Sequence, residues 1–141
     1  MRIVACTILL IQLVSLSGCW NNSFKKIDYY IFLNDKSSKV WLVDKLMSEG
    51  KDFTPIQFKF KELIVFHESR NAVFYKMNSL GSKPGNRMYY WMDREKNEIG
   101  FQGNRKQYLF EIMLLSRTKI ILKPKYKSYP FSIVLIPFPE Y

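Results

Sequence analysis

From residue 40 onward the chain is a succession of short aromatic and β-branched runs, each closed by turn chemistry within about eight to twelve residues. The runs are 40–47, 56–61, 63–67, 72–77, 87–93, 98–102, 107–115, 119–123 and 129–136. Between them lie Glu49-Gly50-Lys51-Asp52, Glu68-Ser69-Arg70-Asn71, Gly81-Ser82-Lys83-Pro84-Gly85 and Gly103-Asn104-Arg105. With no long amphipathic helical pattern among them, the rhythm predicts an all-β barrel or sandwich, antiparallel between neighbours. Alternation is clearest in Phe58-Lys59-Phe60-Lys61 and in Tyr108, Phe110 and Ile112 around Leu109 and Glu111. Ile120-Ile121-Leu122 and Ile133-Val134-Leu135-Ile136 are apolar on both faces, as strands of a closed barrel or a tight sandwich with covered ends would be. Pro130, Pro137 and Pro139 confine the last run to an edge or a short strand. Residues 27–33 fit either a strand or part of a closing helix, and residues 34–38 supply turn or N-cap chemistry.

The start of the chain has a different character. Met1-Arg2 is followed by an apolar run over 3–16, broken by Thr7, Gln12 and Ser15, and then by Ser17-Gly18-Cys19. A positive start, a short apolar stretch and small residues before a cut define a secretory signal. Spanning a bilayer takes about 18 or more apolar residues, so the run is too short for an anchor. Leu16-Ser17-Gly18-Cys19 resembles the lipobox of bacterial lipoproteins. The resemblance implies cleavage between Gly18 and Cys19, and a membrane anchor of acyl chains, palmitate among them, on Cys19. Cys6 and Cys19 are the two cysteines, and Cys6 would leave with the signal. No internal disulfide is then open to the mature chain, and a thioether spares an oxidising compartment a lone thiol. Two or three acyl chains anchor stably where a single one is marginal. Trp20 stands where an aspartate would retain a lipoprotein in the inner membrane, and no acidic cluster follows it. The expected location is the cell envelope, anchored to the outer membrane and facing the periplasm.

Three segments follow: a signal peptide over 1–18, expected to be helical, a lipidated lead-in over 19–37, and a barrel domain over 38–141. Cleavage leaves 123 of the 141 residues, which suits one domain. Hydrophobic residues make up 48% of the chain and aromatic ones 16%, enough to fill a core. The formal charge is +10, or +9 once Arg2 is removed with the signal. Outside the cytoplasm such a surface favours phosphate-bearing head groups or acidic glycans as neighbours, but the scattered lysines read better as a merely solvated surface. Nucleic acid, the usual partner of a basic chain, is excluded by the compartment.

Catalysis is not expected. His67 is the only histidine, so neither a histidine-based metal cluster nor a His-dependent triad can form within the chain, and zinc needs three or four converging ligands. No cofactor and no metal are expected. Among the acidic residues, Glu62 would, on a single strand from 58 to 66, share a face with Phe58, Phe60, Ile64 and Phe66. There it would be a polar group in the lumen of a binding cavity; a bend at Glu62 would instead turn it outward. Lysines interleaved with rings over 123–129 could grip an anionic head group or a sugar, or form a solvated turn.

Lys39-Val40-Trp41-Leu42-Val43, then Gly50-Lys51-Asp52, then Leu63-Ile64-Val65-Phe66 resemble the opening of the small lipocalin-like lipoproteins of the Bacteroidetes. Trp91 ahead of Asp93, Ile99 ahead of Phe101, and the run 108–115 leading into Ile120-Ile121-Leu122 continue the pattern across residues 38–124. Lys39 replaces the glycine usual two residues before the tryptophan, and the run 129–136 lies beyond the usual endpoint. The resemblance implies an up-and-down antiparallel barrel of about eight strands with Trp41 closing its base. Trp41 and Trp91 are both expected to be buried. Two functions fit such a barrel: a lipid-anchored module that binds a small apolar or amphiphilic molecule, or a packed, ligand-free barrel that supports an envelope protein complex. A cavity lined by Phe, Tyr and Met would favour the first, and a filled interior the second.

Overall fold

The computed structural model describes residues 27–127 and 129–139. The signal segment, Gly18 and Cys19 lie outside them. One helical turn, α1 (Ile31–Asn34), precedes nine strands: β1 (Ser38–Ser48), β2 (Lys51–Asp52), β3 (Glu62–His67), β4 (Asn71–Lys76), β5 (Asn86–Asp93), β6 (Glu98–Gln102), β7 (Gln107–Leu115), β8 (Ile120–Pro124) and β9 (Ser132–Pro137). Short 3-10 turns occupy Phe58–Phe60 and Met77–Ser79. Each strand pairs antiparallel with its neighbour, in the order β2-β1-β3-β4-β5-β6-β7-β8-β9, and β9 pairs back onto β1. Eight strands therefore close an up-and-down barrel, with β2 as a two-residue extension beside the end of β1.

The alternation of the strands explains the closure. Trp41 and Val43, Ile64 and Phe66, Met88 and Tyr90, Ile99 and Phe101, Phe110 and Ile112, Ile120 and Leu122, and Ile133 and Leu135 all belong to one buried core, as residues two apart on inward faces must. β1 and β7 are too long to stay in step around a closed barrel. Each carries a register shift, between Val43 and Lys45 against β9 and between Ile112 and Leu114 against β8. An extra residue bends and twists its strand. After the shifts it is Leu46 and Leu115 that pack against the core, while Met113 and Leu114 are exposed. The β1–β2 hairpin turns on Glu49 and Gly50, with φ of 49° and 75°, the positive pair that a tight two-residue hairpin requires.

Two expectations need correction. The run 56–61 is not a strand. Phe53 N–H donates to the Leu46 carbonyl and Thr54 Oγ1 accepts from Leu46 N–H, so the edge of β1 it would have paired with is already used. The chain instead makes the 3-10 turn, and Phe58 stacks against Phe138. Trp91 is only partly buried. It lies on the outer wall, where its register partner Gly100 leaves room for the indole: a Cβ at Gly100 would fall against that ring. Of the two alternatives for the last run the short strand holds: β9 bonds to both β8 and β1 and closes the barrel. For residues 27–33, the helical alternative holds at Ile31–Asn34.

Candidate functional site

The two ends of the lumen differ. At the base, where β1 begins and β9 ends, Trp41 is 0% exposed and its Nε1–H donates to the Leu33 carbonyl of α1 at 2.9 Å. Phe66 meets Tyr90 edge-on with ring centroids 5.0 Å apart. The Tyr90 hydroxyl donates to the His67 carbonyl at 2.8 Å and accepts from Asn34 Nδ2 at 3.2 Å. Burial pushes that hydroxyl's pKa above its ordinary value, while the Asn34 hydrogen bond and the Arg70 charge pull the other way. The Tyr30 hydroxyl accepts from Met92 N–H at 2.8 Å. Lys39 lays its ammonium 4.5 Å from the centre of the Trp41 ring, donates to the Arg117 carbonyl at 2.8 Å and pairs with Asp35 at 3.4 Å. The polar tips of Trp41, Tyr90, Tyr30 and Lys39 thus have partners, while Arg70 lies against the Tyr30 ring with its Nη1 buried and unpaired.

Above this plug the lumen is empty. A cavity of 280 Å³ is lined by Val43, Leu46, Ile64, Phe74, Met88, Phe101, Phe110, Leu122 and Ile133, with Glu62, Tyr75, Lys76, Asn86, Tyr108 and Tyr129 as its polar members. Edge-on aromatic pairs run up its wall: Phe74 on Phe101 at 5.5 Å, Phe101 on Phe110 at 5.9 Å, and Phe110 and Tyr108 on Tyr129 at 5.5 and 5.8 Å. Such pairs contribute about 0.5–1.5 kcal/mol each beyond area burial and stiffen the wall around the void. Glu62 opens β3, opposite Lys76 at the end of β4, so carboxylate and ammonium stand at the mouth. Tyr129 has its hydroxyl pKa pushed up to about 12, first by burial and then by the negative charge of Glu62. An apolar tube with a few polar groups at one end suits an amphiphile or a small apolar molecule.

Around the mouth run the connections 49–61, 77–85, 103–106 and 125–131. Their described residues carry Lys51, Lys59, Lys61, Lys83, Arg105, Lys106, Lys125 and Lys127 against two acids, Glu49 and Asp52. The connections at the base, 35–37, 68–70, 94–97 and 116–119, carry Lys36, Arg70, Arg94, Lys96, Arg117 and Lys119 against Asp35, Glu68 and Glu95. Exposed large apolar side chains divide more sharply. Phe53, Ile56, Phe58, Phe60, Leu80 and Tyr126 belong to the mouth connections; the base has Ile27 of the lead-in, and Tyr89, Met113 and Leu114 lie on strands. Lys125 reaches across the outer wall to neutralise buried Glu98.

Of the residues singled out from sequence, Trp41 lies in the basal plug and Glu62 lines the cavity, although the single strand 58–66 on which Glu62 was placed does not form. His67 contributes its backbone carbonyl to the base. Tyr129, Lys76 and Asn86 went unnoticed: Lys76 and Asn86 are polar ends of otherwise apolar runs, and Tyr129 stands before β9, where only closure of the barrel brings it to Glu62. Among the described residues no group of three metal-ligating side chains gathers, and no helix is long and apolar enough to cross a membrane. Comparisons with protein-family models, with curated proteins and with solved structures gave no match.

Proposed function

We propose that this protein is a lipid-anchored envelope barrel that binds a small apolar or amphiphilic molecule in its lumen. The observation that carries the reading is the cavity of 280 Å³ above the Trp41 plug, walled by Phe, Tyr and Met and open at a mouth that holds Glu62, Lys76 and Tyr129. Its volume falls just below the roughly 300–1,000 Å³ of ligand pockets, which points to a small ligand or one end of a longer one. The chain enters the barrel from the base, beside α1. With Cys19 acylated and the signal cut after Gly18, as in the lipocalin-like lipoproteins the chain resembles, the protein would be held at the outer membrane on its periplasmic side. A ligand-free barrel supporting an envelope complex would call for a lumen filled to its mouth.

Native mass spectrometry of protein released from its own envelope tests both parts. The expected spectrum shows a chain beginning at Cys19 with diacylglyceryl mass, plus a small-molecule adduct lost on mild activation. Cys19→Ser should remove the acyl mass and leave the adduct. An adduct-free spectrum at the gentlest settings would contradict lumen binding, and acylation that survives Cys19→Ser would contradict the anchor.

A further inference from the structure

We infer that the rim of the barrel is a docking surface for an anionic lipid bilayer, separate from the acyl anchor. Large apolar side chains are normally exposed singly, without meaning. Here they collect on the connections that ring one opening: Ile56 is 101% exposed, Tyr126 63% and Leu80 45%. They come from three different connections, separated in sequence and gathered only by the closure of the barrel. Each has a lysine close by in the chain: Lys59 near Ile56, Lys83 near Leu80, and Lys125 and Lys127 beside Tyr126.

The kind of cation identifies the partner. Protein–protein interfaces are enriched in Arg and depleted in Lys, whereas the rim connections hold seven lysines and the single Arg105, and the base connections hold equal numbers of Lys and Arg. An ammonium on a flexible stem suits a phosphate head group as a point charge, and each lysine near an anionic leaflet adds to the attraction. Aromatic and aliphatic tips among such lysines insert at the boundary between head group and acyl chain. The open groove beside the mouth, between the β1–β2 hairpin and the β8–β9 connection, is lined by Lys123, Lys127, Tyr126 and Tyr129, with Glu49 as its one acid. Docked this way, the mouth would open onto the acyl layer, and an amphiphile could pass between bilayer and lumen without crossing water.

The test is flotation of the full chain with phosphatidylcholine vesicles, with and without about one third phosphatidylglycerol. The signal segment and any acyl chains bind both vesicles, so the readout is the increment that phosphatidylglycerol adds. Lys59→Glu/Lys83→Glu/Lys127→Glu should reduce that increment at least about tenfold. Lys36→Glu/Lys96→Glu/Lys119→Glu, the same change of charge at the base, should leave it within about twofold of the parent. Ile56→Ser/Leu80→Ser should weaken it with no change of charge. All these positions are exposed, and circular dichroism checks that each variant keeps the parent's β spectrum. The inference is overturned if the parent shows no increment, if rim and base reversals act equally, if the apolar pair has no effect, or if the rim retains an acidic envelope protein and ignores vesicles. Met88→Trp, which fills the lumen, should dock as the parent does, so that failure of ligand binding and failure of docking are told apart.

Discussion

At the base of this barrel Trp41, Phe66, Tyr90, Ile120 and Leu135 meet with at most 0% exposure each and nothing between them. At the mouth Phe74, Phe101, Tyr108, Phe110 and Tyr129 stand around 280 Å³ of empty space. The residue types are nearly the same, so hydrophobicity alone does not decide which half packs. The closing element does. α1 gives the base a carbonyl for the Trp41 indole and an amide for the Tyr90 hydroxyl, and with these two polar tips engaged the rings can approach. Among the described residues the mouth has no such cap. Glu62, Lys76 and Asn86 keep water within reach, and collapse there would bury them at a cost the apolar gain would not offset.

The largest effect is expected where packing and hydrogen bonding coincide. Trp41→Ala should destabilise the protein by about 3–5 kcal/mol, seen as a lower thermal midpoint; an unchanged midpoint would mean that the base is not the packed half. Tyr90→Phe keeps the ring but strands Asn34 Nδ2 and leaves the His67 carbonyl with only its Arg70 N–H partner, and should cost about 1–3 kcal/mol by denaturant unfolding. The mouth should respond in titration rather than stability. Glu62→Gln removes a negative charge from beside Tyr129, so the hydroxyl that ionises at about 12 should ionise at lower pH in an ultraviolet titration, with the melting curve at neutral pH hardly moved.

The same tyrosines fix the alkaline limb. Tyr129 ionises at about 12 in the fold against 10.0 ordinarily, and Tyr90 is raised in the same direction. Between those values the unfolded chain has released a proton that the folded one still holds, so stability is full below pH 10 and falls as pH rises toward 12. Tyr129→Phe should flatten that limb in pH-dependent unfolding, leaving the portion due to Tyr90.

Much of the barrel was legible because local signals and the global fold agree. Turn chemistry at 68–71, 81–85 and 103–105 bounds strands that form where the runs place them, and Trp41 announces itself as the largest apolar residue of the first clear strand. The failures share one cause: they depend on what another strand supplies. Phe58-Lys59-Phe60-Lys61 alternates as well as any strand, but its pairing edge is taken by residues 53 and 54. Trp91 lies outside because a glycine on the next strand, one turn of chain away, is its register partner. The shifts in β1 and β7 exchange inward and outward parity, and no alternation rule marks where they fall. Glu62 could be suspected of facing the lumen, whereas its neighbour Tyr129 comes from the far end of the chain.

An apolar reporter dye read against a filled lumen tests the central claim most directly. Titrated with N-phenyl-naphthylamine, the parent should bind one dye per chain with enhanced fluorescence. Met88 is 9% exposed and lines the cavity, so Met88→Trp occupies the empty half without touching the base plug. The account predicts that this variant loses dye binding at least tenfold, or about 1.4 kcal/mol, while its unfolding midpoint stays at or above that of the parent. Dye binding that is equal in the two proteins, or absent from the parent, would contradict an open, ligand-binding lumen.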